Sequence, residues 1–581
     1  RLQLADTFTL EGHRHSWKFG GDATLTWIRN FFPVMFGGEY IFDQIRVNQW
    51  TFQPQRRGGM VISPLRAYAH NVPRYYMQDF GSAVSHPDSN DYSWFVQDTA
   101  RISDHLAVTL GLRYDLQTFR SDDLQASPLW PDSGKVPFDT NNFAPRIGFA
   151  YSLGDRRPLV IRGGYGMFFT RIPQIYNSAV ETNNGLNRSH LFLNASDTWD
   201  GLPSLIPAYP NPLVRCAPAA ITCTAPPEVA SSLTTEVSAF SHDFRTPVVE
   251  QASLGLEREV ANRFAIGASY LYVHGEHLIR ARDANLPEPL DMEYPVFSAD
   301  GKEFLGSYYT LSSFAPWQMR NNTECPFAPC ISTLMRPVPQ LGSVDVFESA
   351  ASSYYHGLTV SARRRMTNGL YFRAAYTWAR AIDNGQDSLV AGRPATVQNS
   401  YSPESERGLS STDQRHRFVF SWMAEPRPFH RDHPIMKNIF NGWKLSSVLS
   451  FGSGRPVNPR VVGDANVDGN SDNDRLPGAR RNSFTGPDYA TTDFRISRTV
   501  AVIGQARVEL LAESFNLLNR VNQKVEVTDD GFSNSAAKFV EKTQTVGGKI
   551  YPAQFQLLGG FLTPTSSYAP RQVQFAVRLK F

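Results

Sequence analysis

The chain ends with the stretch R-Q-V-Q-F-A-V-R-L-K-F, from Arg571 to Phe581. Successive side chains of a strand point to opposite faces, and from Gln572 onward one parity is apolar while the other is polar or charged apart from Ala576. The length also fits the roughly 9 to 11 residues with which a tilted strand crosses a bilayer. The stretch therefore predicts a strand whose apolar face consists of Val573, Phe575, Val577, Leu579 and Phe581.

The same alternation recurs throughout the 581 residues. In one example, Leu106, Val108 and Leu110 alternate with polar neighbours, and in another Phe372, Ala374 and Tyr376 do so. The pattern predicts about fifteen strands. They fall near residues 2–10, 14–30, 91–103, 105–119, 143–152, 158–170, 249–260, 263–277, 351–366, 369–382, 413–425, 439–455, 489–502, 505–521 and 570–581.

The connections between these strands alternate in length. Short turns at 11–13, 103–104, 154–158, 261–262, 367–368 and 503–504, with an intermediate one at 425–437, alternate with long insertions at 31–90, 171–248, 278–350, 383–412, 456–488 and 522–569. An outer-membrane barrel has short periplasmic turns and long extracellular loops. A soluble β-sandwich would share the alternation, but it would rarely place Tyr and Trp so regularly near strand ends. We therefore predict an all-β, transmembrane, antiparallel up-and-down β-barrel over residues 1–581.

Bulk composition agrees with a strand-rich chain. Aromatic residues make up 12% of the sequence, and 41 Gly and 39 Pro residues interrupt it throughout. The net charge of +3 arises from scattered basic and acidic residues, so we expect no nucleic-acid partner. The mean hydropathy of −0.33 does not exclude a membrane barrel, because every second residue of such a wall faces a polar lumen.

The strand number carries a further expectation. Bacterial barrels of this kind have even strand numbers with both termini in the periplasm. If the final strand ends there, the first strand descends from the cell exterior. We therefore expect further strands to precede Arg1.

A run of motifs in fixed order resembles a known family. It comprises Y-S-W-F-V-Q-D from Tyr92, L-A-V-T-L-G-L-R-Y-D from Leu106, F-A-P-R-I-G-F-A-Y from Phe143, R-G-G-Y-G-M-F-F from Arg162, Y-T-W-A-R-A-I-D from Tyr376, D-Q-R-H-R-F-V from Asp413, and A-E-S-F-N-L-L-N-R from Ala512. The run resembles the barrel of TonB-dependent outer-membrane receptors, in particular large ones with an N-terminal carboxypeptidase-regulatory-like domain. The resemblance extends over the whole chain.

This resemblance implies a barrel of 22 strands in the cell outer membrane of a Gram-negative bacterium, filled by an N-terminal plug and driven by the energy-transducing TonB complex. We find neither the plug nor the energy-coupling box in this sequence, so both, with about seven strands, are expected upstream. The resemblance also implies that the terminal strand is the signal that the barrel-assembly machinery reads.

Four cysteines form two close pairs in Pro-rich stretches, Cys216 with Cys223 and Cys325 with Cys330. Zinc is the alternative for four cysteines, but these spacings, without nearby His, fit the usual zinc ligand patterns poorly. We expect two local disulfides in the extracellular loops.

One long loop contains D-A-N-V-D-G-N-S-D-N-D, from Asp464 to Asp474. Oxygen-bearing side chains at alternate positions followed by Gly469 match the first half of a calcium loop, although Arg475 stands where an EF-hand has its bidentate Glu. An Asx-rich turn is the competing interpretation. The candidate calcium ligands are Asp464, Asn466, Asp468, Asp472 and Asp474; we expect no other cofactor.

Six arginines fall on the predicted inner face: Arg113, Arg146, Arg373, Arg415, Arg417 and Arg578. They suit either an anionic substrate or the carboxylates of a plug, and we favour the plug because an unpaired buried charge is costly. No enzymatic motif is present, so we expect a receptor that imports a scarce large substrate, such as a glycan or an oligopeptide. An adhesion protein that binds through its loops and an open diffusion pore are the alternatives.

Overall fold

The computed structural model describes the chain except for residues 34, 43–44, 56–58, 123, 196–205, 217–221, 313–335, 386–388, 391–392, 395, 428–435, 437–438, 467, 471–472, 504–505, 526–533, 541–543, 552 and 581. A wall of consecutive strands dominates it. These strands are β1 (Leu2–Glu11), β2 (His15–Thr26), β3 (Ser89–Arg101), β4 (Leu106–Phe119), β5 (Phe143–Leu153), β6 (Leu159–Phe169), β7 (Val248–Ala261), β8 (Phe264–Asp283), β9 (Leu341–Thr367), β10 (Leu370–Asp383), β11 (His416–Ala424), β12 (Trp443–Gly452), β13 (Tyr489–Ile503), β14 (Ala506–Phe515) and β15 (Gln572–Lys580).

Each wall strand pairs antiparallel with the next one along the chain. This is the up-and-down order that the alternation predicted. Among the described residues, the outer edges of β1 and β15 do not pair with each other, so the wall is an open sheet there.

Tight turns join the wall strands at one rim. At one of them, Asn368 and Gly369 connect β9 to β10 with φ angles of 51° and 73°. This left-handed backbone suits a two-residue hairpin, because it matches the twist of the flanking strands. The other rim carries the long connections, so the expected sorting of loops is present.

The outer face of the wall is apolar and exposed. Phe575 is 81% exposed, and Val577 and Leu579 on the same parity of β15 are 67% and 60% exposed. Leu254 and Leu256 on β7 and Trp378 on β10 are likewise exposed. A continuous apolar surface of this extent requires an apolar medium, because soluble monomers rarely expose patches larger than a few hundred Å².

The long connections fold into sheets of their own. A loop sheet of five strands contains Phe304–Ser312, Leu290–Phe297, Gln554–Leu557, Ala537–Val540 and Val461–Val462, in that spatial order. It therefore draws strands from three different connections. A second group contains Glu39–Ile41, Tyr75–Ser82, Arg188–Asn194, Thr222–Cys223 and Leu233–Phe240, the last of which runs parallel to the beginning of β9.

Buried hydrophobic side chains concentrate in these connections. One cluster, which includes Tyr294, Val461, Ala537 and Phe555, fills the loop sheet. Another joins Tyr76 and Phe80 to Leu191 in the second group. The hydrophobic effect thus folds the loops in the ordinary way, whereas the wall turns its apolar residues outward.

In the described part of the chain, the α-helices Pro64–Ala69 and Gln174–Thr182 lie in the long connections. The first begins after Ser63, whose Oγ accepts a hydrogen bond from the N–H of Arg66 at 3.4 Å. Among the described residues, no helix is both long and apolar enough to cross a membrane.

Short elements complete the connections. They are the 3₁₀ helices Pro131–Gly134, Pro227–Ser232 and Pro403–Glu406, and the strands Asn30–Phe31, Val84–Ser85, Ile45–Val47, Met60–Ile62, Leu389–Val390, Arg393–Pro394, Gly408–Leu409, Pro456–Val457, Phe484–Thr485, Gln523–Lys524, Ser566–Ser567, Gln544–Val546 and Lys549–Tyr551.

Candidate functional site

The inner face of the wall is charged, and much of its charge is paired along the wall itself. Arg113 lies 2.9 Å from the carboxylate of Asp115. At the rim of the long connections, Arg415 lies 3.6 Å from Asp413. These two predicted inner-face arginines therefore have carboxylate partners on or beside the wall.

Arg578 on β15 belongs to a network that joins three strands. Its Nη1 lies 3.7 Å from Oε2 of Glu509 on β14, and Arg495 on β13 lies 3.7 Å from Glu509 and 3.2 Å from Glu513. The sequence analysis identified Arg578 but not Arg495. The register of β13 against β14 sets Arg495 directly opposite Glu513.

Among the described residues, no carboxylate pairs with the other three predicted arginines. The guanidinium of Arg146 lies 4.3 Å from the ring centroid of Phe168, a cation–π contact. Within the part of the chain that the structure describes, the side chains of Arg373 and Arg417 form neither an ion pair nor a hydrogen bond. Among the described residues, the wall therefore offers no carboxylate to Arg373 or Arg417.

Arg373 lies in a positively charged stripe. It stands directly opposite Arg363 in the ladder between β9 and β10. Arg363 in turn contacts Glu257 on β7, and Arg162 on β6 lies 3.7 Å from the same carboxylate. Two arginines therefore share one glutamate, and Arg373 stands next to one of them. We call Arg162, Arg363, Arg373 and Arg417 the inner stripe; sequence reasoning had identified only the last two.

The connections at the long-loop rim are held together by buried ion pairs. Arg336 lies 2.6 Å from Asp283 and also donates to the main-chain oxygen of Asp468 at 3.1 Å. Arg481 contacts Asp383 at the end of β10. Such pairs require precise geometry to offset desolvation, so they fix the loops in one arrangement.

The predicted calcium loop is compact. The carboxylate of Asp464 accepts hydrogen bonds from the main-chain N–H groups of Asp468 and Gly469 at 3.0 and 2.9 Å. The carboxylate of Asp474 accepts from those of Ala465 and Asn466 at 2.9 and 3.2 Å. The carboxylates thus act as acceptors for backbone amides, as in an Asx-rich turn.

Asp468 lies at the centre of this loop. It is 6% exposed, and its Oδ2 accepts from the side-chain amides of Asn466 and Asn473 at 2.9 and 3.0 Å. Burial, reinforced by the neighbouring charge of Asp464, raises the pKa of Asp468 to about 7. Burial also raises the pKa of Asp474, which is 1% exposed. The loop therefore concentrates negative charge in a poorly solvated place.

The same loop docks against the connection between β10 and β11. Asn466 and Asn473 donate to the main-chain oxygens of Gln398 and Val397 at 2.8 and 3.1 Å. Within the described residues, no three His, Cys, Asp or Glu side chains are grouped so that they could hold a metal ion. Asp472 lies outside the described residues. Calcium at Asp464, Asn466, Asp468, Asp472 and Asp474 stays a prediction.

Cys216 and Cys223 form a disulfide, with their Cα atoms 5.5 Å apart. The disulfide lies in the second loop group, where Cys223 is 5% exposed and packs with Tyr76 and Leu191. Cys325 and Cys330 lie outside the described residues.

The terminal strand lies where the alternation placed it. Val573, Phe575, Val577 and Leu579 share the exposed outer parity of β15, while Gln574 and Arg578 stand opposite Glu513 and Glu509 on the inner face. Phe581 lies outside the described residues. An apolar outer face, a charged inner face and loops sorted to one rim together define a transmembrane β-barrel wall.

The comparison with protein families agrees with this class. The family model described as outer membrane beta barrel domain matches residues 1–480, more than half of the chain. The chain therefore belongs to the outer-membrane β-barrel family, and its location is the cell outer membrane. The predicted fold and location are confirmed.

Solved structures with similar folds are distant. The chain is 10% identical to the ferric enterobactin receptor of Pseudomonas aeruginosa, with a TM-score of 0.46, covering 99% of this chain and 53% of that one. It is 11% identical to the outer membrane transporter YddB of Escherichia coli, with a TM-score of 0.43, covering 91% of this chain and 51% of that one. It is 11% identical to the FrpB iron transporter of Neisseria meningitidis, with a TM-score of 0.44, covering 99% of this chain and 54% of that one. The chain thus spans about half the length of these proteins. No curated protein sequence matches it.

Proposed function

We propose that this chain is the barrel of a TonB-dependent receptor that imports a scarce, large substrate across the outer membrane. The motif run from Tyr92 to Arg520 supports the receptor class, and the family membership supports the outer-membrane setting. In this proposal the chain supplies binding and gated passage, and no covalent chemistry. A glycan or an oligopeptide is the proposed substrate.

The observation that carries the gated mechanism is the inner stripe. Among the described residues, Arg162 and Arg363 share Glu257 as their carboxylate partner, and Arg373 and Arg417 have none. Excess positive charge on a lumen wall favours an anionic group opposite it, because a cation in a water-poor interior needs a partner. In the proposed receptor that partner is a carboxylate of the plug, which the TonB complex displaces to open the path.

The folded loops support the receptor part of the proposal. They form their own sheets with buried cores, and buried ion pairs tie them together. A rigid scaffold that carries large, well-packed loops is a common arrangement for ligand binding. The same loops would also serve an adhesion protein, so a transport measurement is needed.

Electrical conductance of the full-length protein in a planar bilayer tests the proposal. A plugged receptor passes almost no current, and the double substitution Arg373→Glu with Arg417→Glu should raise the leak at least severalfold, because it places like charges against the plug. Arg427→Glu, in the intermediate turn after β11, is the charge-reversal control outside the inner stripe and should stay silent. Steady large currents from the unsubstituted protein would establish an open pore instead.

A second measurement separates transport from adhesion. Cells that express the full-length protein should accumulate a labelled substrate only while the membrane energy supply is intact. Accumulation that is unaffected by removal of that energy supply contradicts the TonB-dependent mechanism. Binding at the cell surface without any accumulation would support the adhesion alternative.

A further inference from the structure

The outer face of the wall shows two charged boundaries around its apolar band. On β9, His356 and Arg364 share the outer parity and lie eight positions apart. On β7, Glu250 and Arg258 also share the outer parity and are also eight positions apart. Eight residues extend roughly 26 Å along a strand. After allowing for tilt, this interval is close to the roughly 25 Å apolar band of outer-membrane barrels.

Between these boundaries the outward residues are apolar. Leu358 and Val360 follow His356 on β9 and are 40% and 51% exposed. Because the long connections leave from the end that carries His356, this boundary is the extracellular one. Residues at this height face the headgroups of the outer leaflet.

Four cationic or cation-capable residues gather at this extracellular boundary. His356 on β9 stands directly opposite Arg380 on β10, and His416 on β11 stands opposite Trp378, two positions from Arg380. Arg407 lies beside them, with its guanidinium 5.2 Å from the ring centroid of Tyr354. We call His356, Arg380, Arg407 and His416 the upper patch.

Both histidines of the upper patch are held by tyrosines in the same way. Nδ1 of His356 lies 2.7 Å from Oη of Tyr270, and Nδ1 of His416 lies 2.7 Å from Oη of Tyr376. When the tyrosine donates to Nδ1, or when the ring is protonated, Nε2 carries a hydrogen and can donate it. The repeated arrangement therefore orients two N–H donors around Arg380.

The upper patch lacks a neutralising carboxylate. Among the described residues, no Asp or Glu lies within ion-pair distance of Arg380 or Arg407. Two outward acids, Glu250 and Glu276, flank His274 instead, at 3.9 and 3.5 Å on the side of β7 and β8. His356, Arg380 and Arg407 are exposed, so their charge and donors are available to an external partner.

We propose that the upper patch binds a phosphate group of a lipid in the outer leaflet. Its charge has the correct sign, and guanidinium and imidazole donors are well suited to phosphate oxygens. Its height places it at the headgroups, and the surrounding Tyr376 and Trp378 are the amphipathic side chains that occupy such an interface. This site is independent of the transport proposal, because it lies on the opposite face of the wall.

Native mass spectrometry of the full-length protein in detergent tests the site. The probes are bisphosphorylated lipid A, the same lipid without its phosphates, and inorganic phosphate. The triple substitution Arg380→Gln, His356→Gln, His416→Gln should weaken binding of the phosphorylated lipid about tenfold or more, because it removes charged hydrogen bonds. The unsubstituted protein should bind the phosphate-free lipid as weakly as the triple variant binds the phosphorylated one.

Arg364→Gln is the matched control, since Arg364 faces outward on the same strand at the opposite boundary, and it should leave lipid A binding unchanged. Equal weakening by Arg364→Gln would indicate non-specific attraction and overturn the proposal. Unchanged binding of the phosphorylated lipid by the triple variant, or equal binding of the phosphate-free lipid by the unsubstituted protein, would also overturn the proposal. The same holds if millimolar inorganic phosphate displaces the lipid, or if the triple variant changes its oligomeric state without a change in lipid retention. If the triple variant does not fold, as judged by loss of heat-modifiable migration, Arg380→Gln alone replaces it.

Discussion

Arg475 and Glu406 form a buried, two-pronged ion pair across two extracellular connections. Nη1 of Arg475 lies 2.6 Å from Oε2 of Glu406, and Nη2 lies 2.8 Å from Oε1. The side chains are 9% and 6% exposed. The pair joins the connection between β10 and β11 to the one between β12 and β13, and so it holds the predicted calcium loop in place.

Removing one partner of this pair should loosen the loops without unfolding the wall. Arg475→Ala leaves Glu406 buried and unpaired, which we expect to cost about 3 to 5 kcal/mol of local stability. Hydrogen exchange of the loop amides measures the effect, and Arg480→Ala is the matched control because Arg480 is exposed. Equal protection in Arg475→Ala and the unsubstituted protein would contradict the structural role of the pair.

The stability of the predicted calcium loop without metal should depend on pH. Because the pKa of Asp468 rises from 3.8 to about 7 on folding, protonation favours the folded loop. Its contribution is fully present below about pH 4 and is lost as the pH rises through 7, with a slope of at most about 1.4 kcal/mol per pH unit. In chelator, Asp468→Asn should have a smaller slope in thermal unfolding, and the raised pKa of Asp474 accounts for the part that stays. An identical slope in both proteins would assign the pH dependence to other groups.

Calcium, if the loop binds it, should reverse that behaviour. A bound cation keeps Asp464, Asp468 and Asp474 ionised and offsets their mutual repulsion. We expect a higher melting temperature with calcium than with chelator at pH 8, and a smaller difference in Asp468→Asn. Equal melting temperatures of the unsubstituted protein in the two conditions would count against the site.

The terminal strand should be needed for assembly. Phe575→Ser removes the most exposed apolar side chain of β15, and Phe581→Ser alters the residue that the family resemblance implies the assembly machinery reads. Both substitutions in the full-length protein should lower the amount in the outer membrane severalfold, as measured by immunoblot of membrane fractions. Gln572→Ser on the inner parity is the control. Normal levels of both phenylalanine variants would refute the prediction.

The disulfide of the second loop group should stabilise it locally. Cys216→Ser with Cys223→Ser removes a short cross-link, for which we expect a loss of about 2 kcal/mol. Protease cleavage of these loops in intact cells should therefore become faster, while heat-modifiable migration of the barrel stays the same. An unchanged cleavage rate would show that the buried contacts of Tyr76 and Leu191 suffice.

The alternation predicted the wall well because a membrane fixes one face of every strand. It failed at the strand ends beyond the membrane. β8 continues to Asp283 and β9 begins at Leu341, several residues outside the predicted limits. There the neighbours Val346 and Phe347 are both buried, because loops cover both faces and the alternation no longer applies.

Parts of the candidate site could not be predicted from the sequence for a different reason. The inner stripe depends on Arg363 standing opposite Arg373, and the loop sheet depends on Val296 pairing with Phe555, which lies 259 positions further along the chain. Register and distant pairing are properties of the folded chain. Part of the upper patch could have been predicted from the sequence, because extending the outward parity of β9 from Leu358 by two positions reaches His356.

The loop sheet also bears on how such a protein can diversify. Leu290–Phe297 comes from one connection, Val461–Val462 from a second, and Ala537–Val540 with Gln554–Leu557 from a third. Exchanging any one of these connections for a foreign one would remove a strand from the shared sheet and expose its apolar core. Chimeras made by swapping single loops between homologues should therefore misfold, and larger sequence changes in these loops would have to proceed by small surface substitutions or by the coordinated replacement of all three connections.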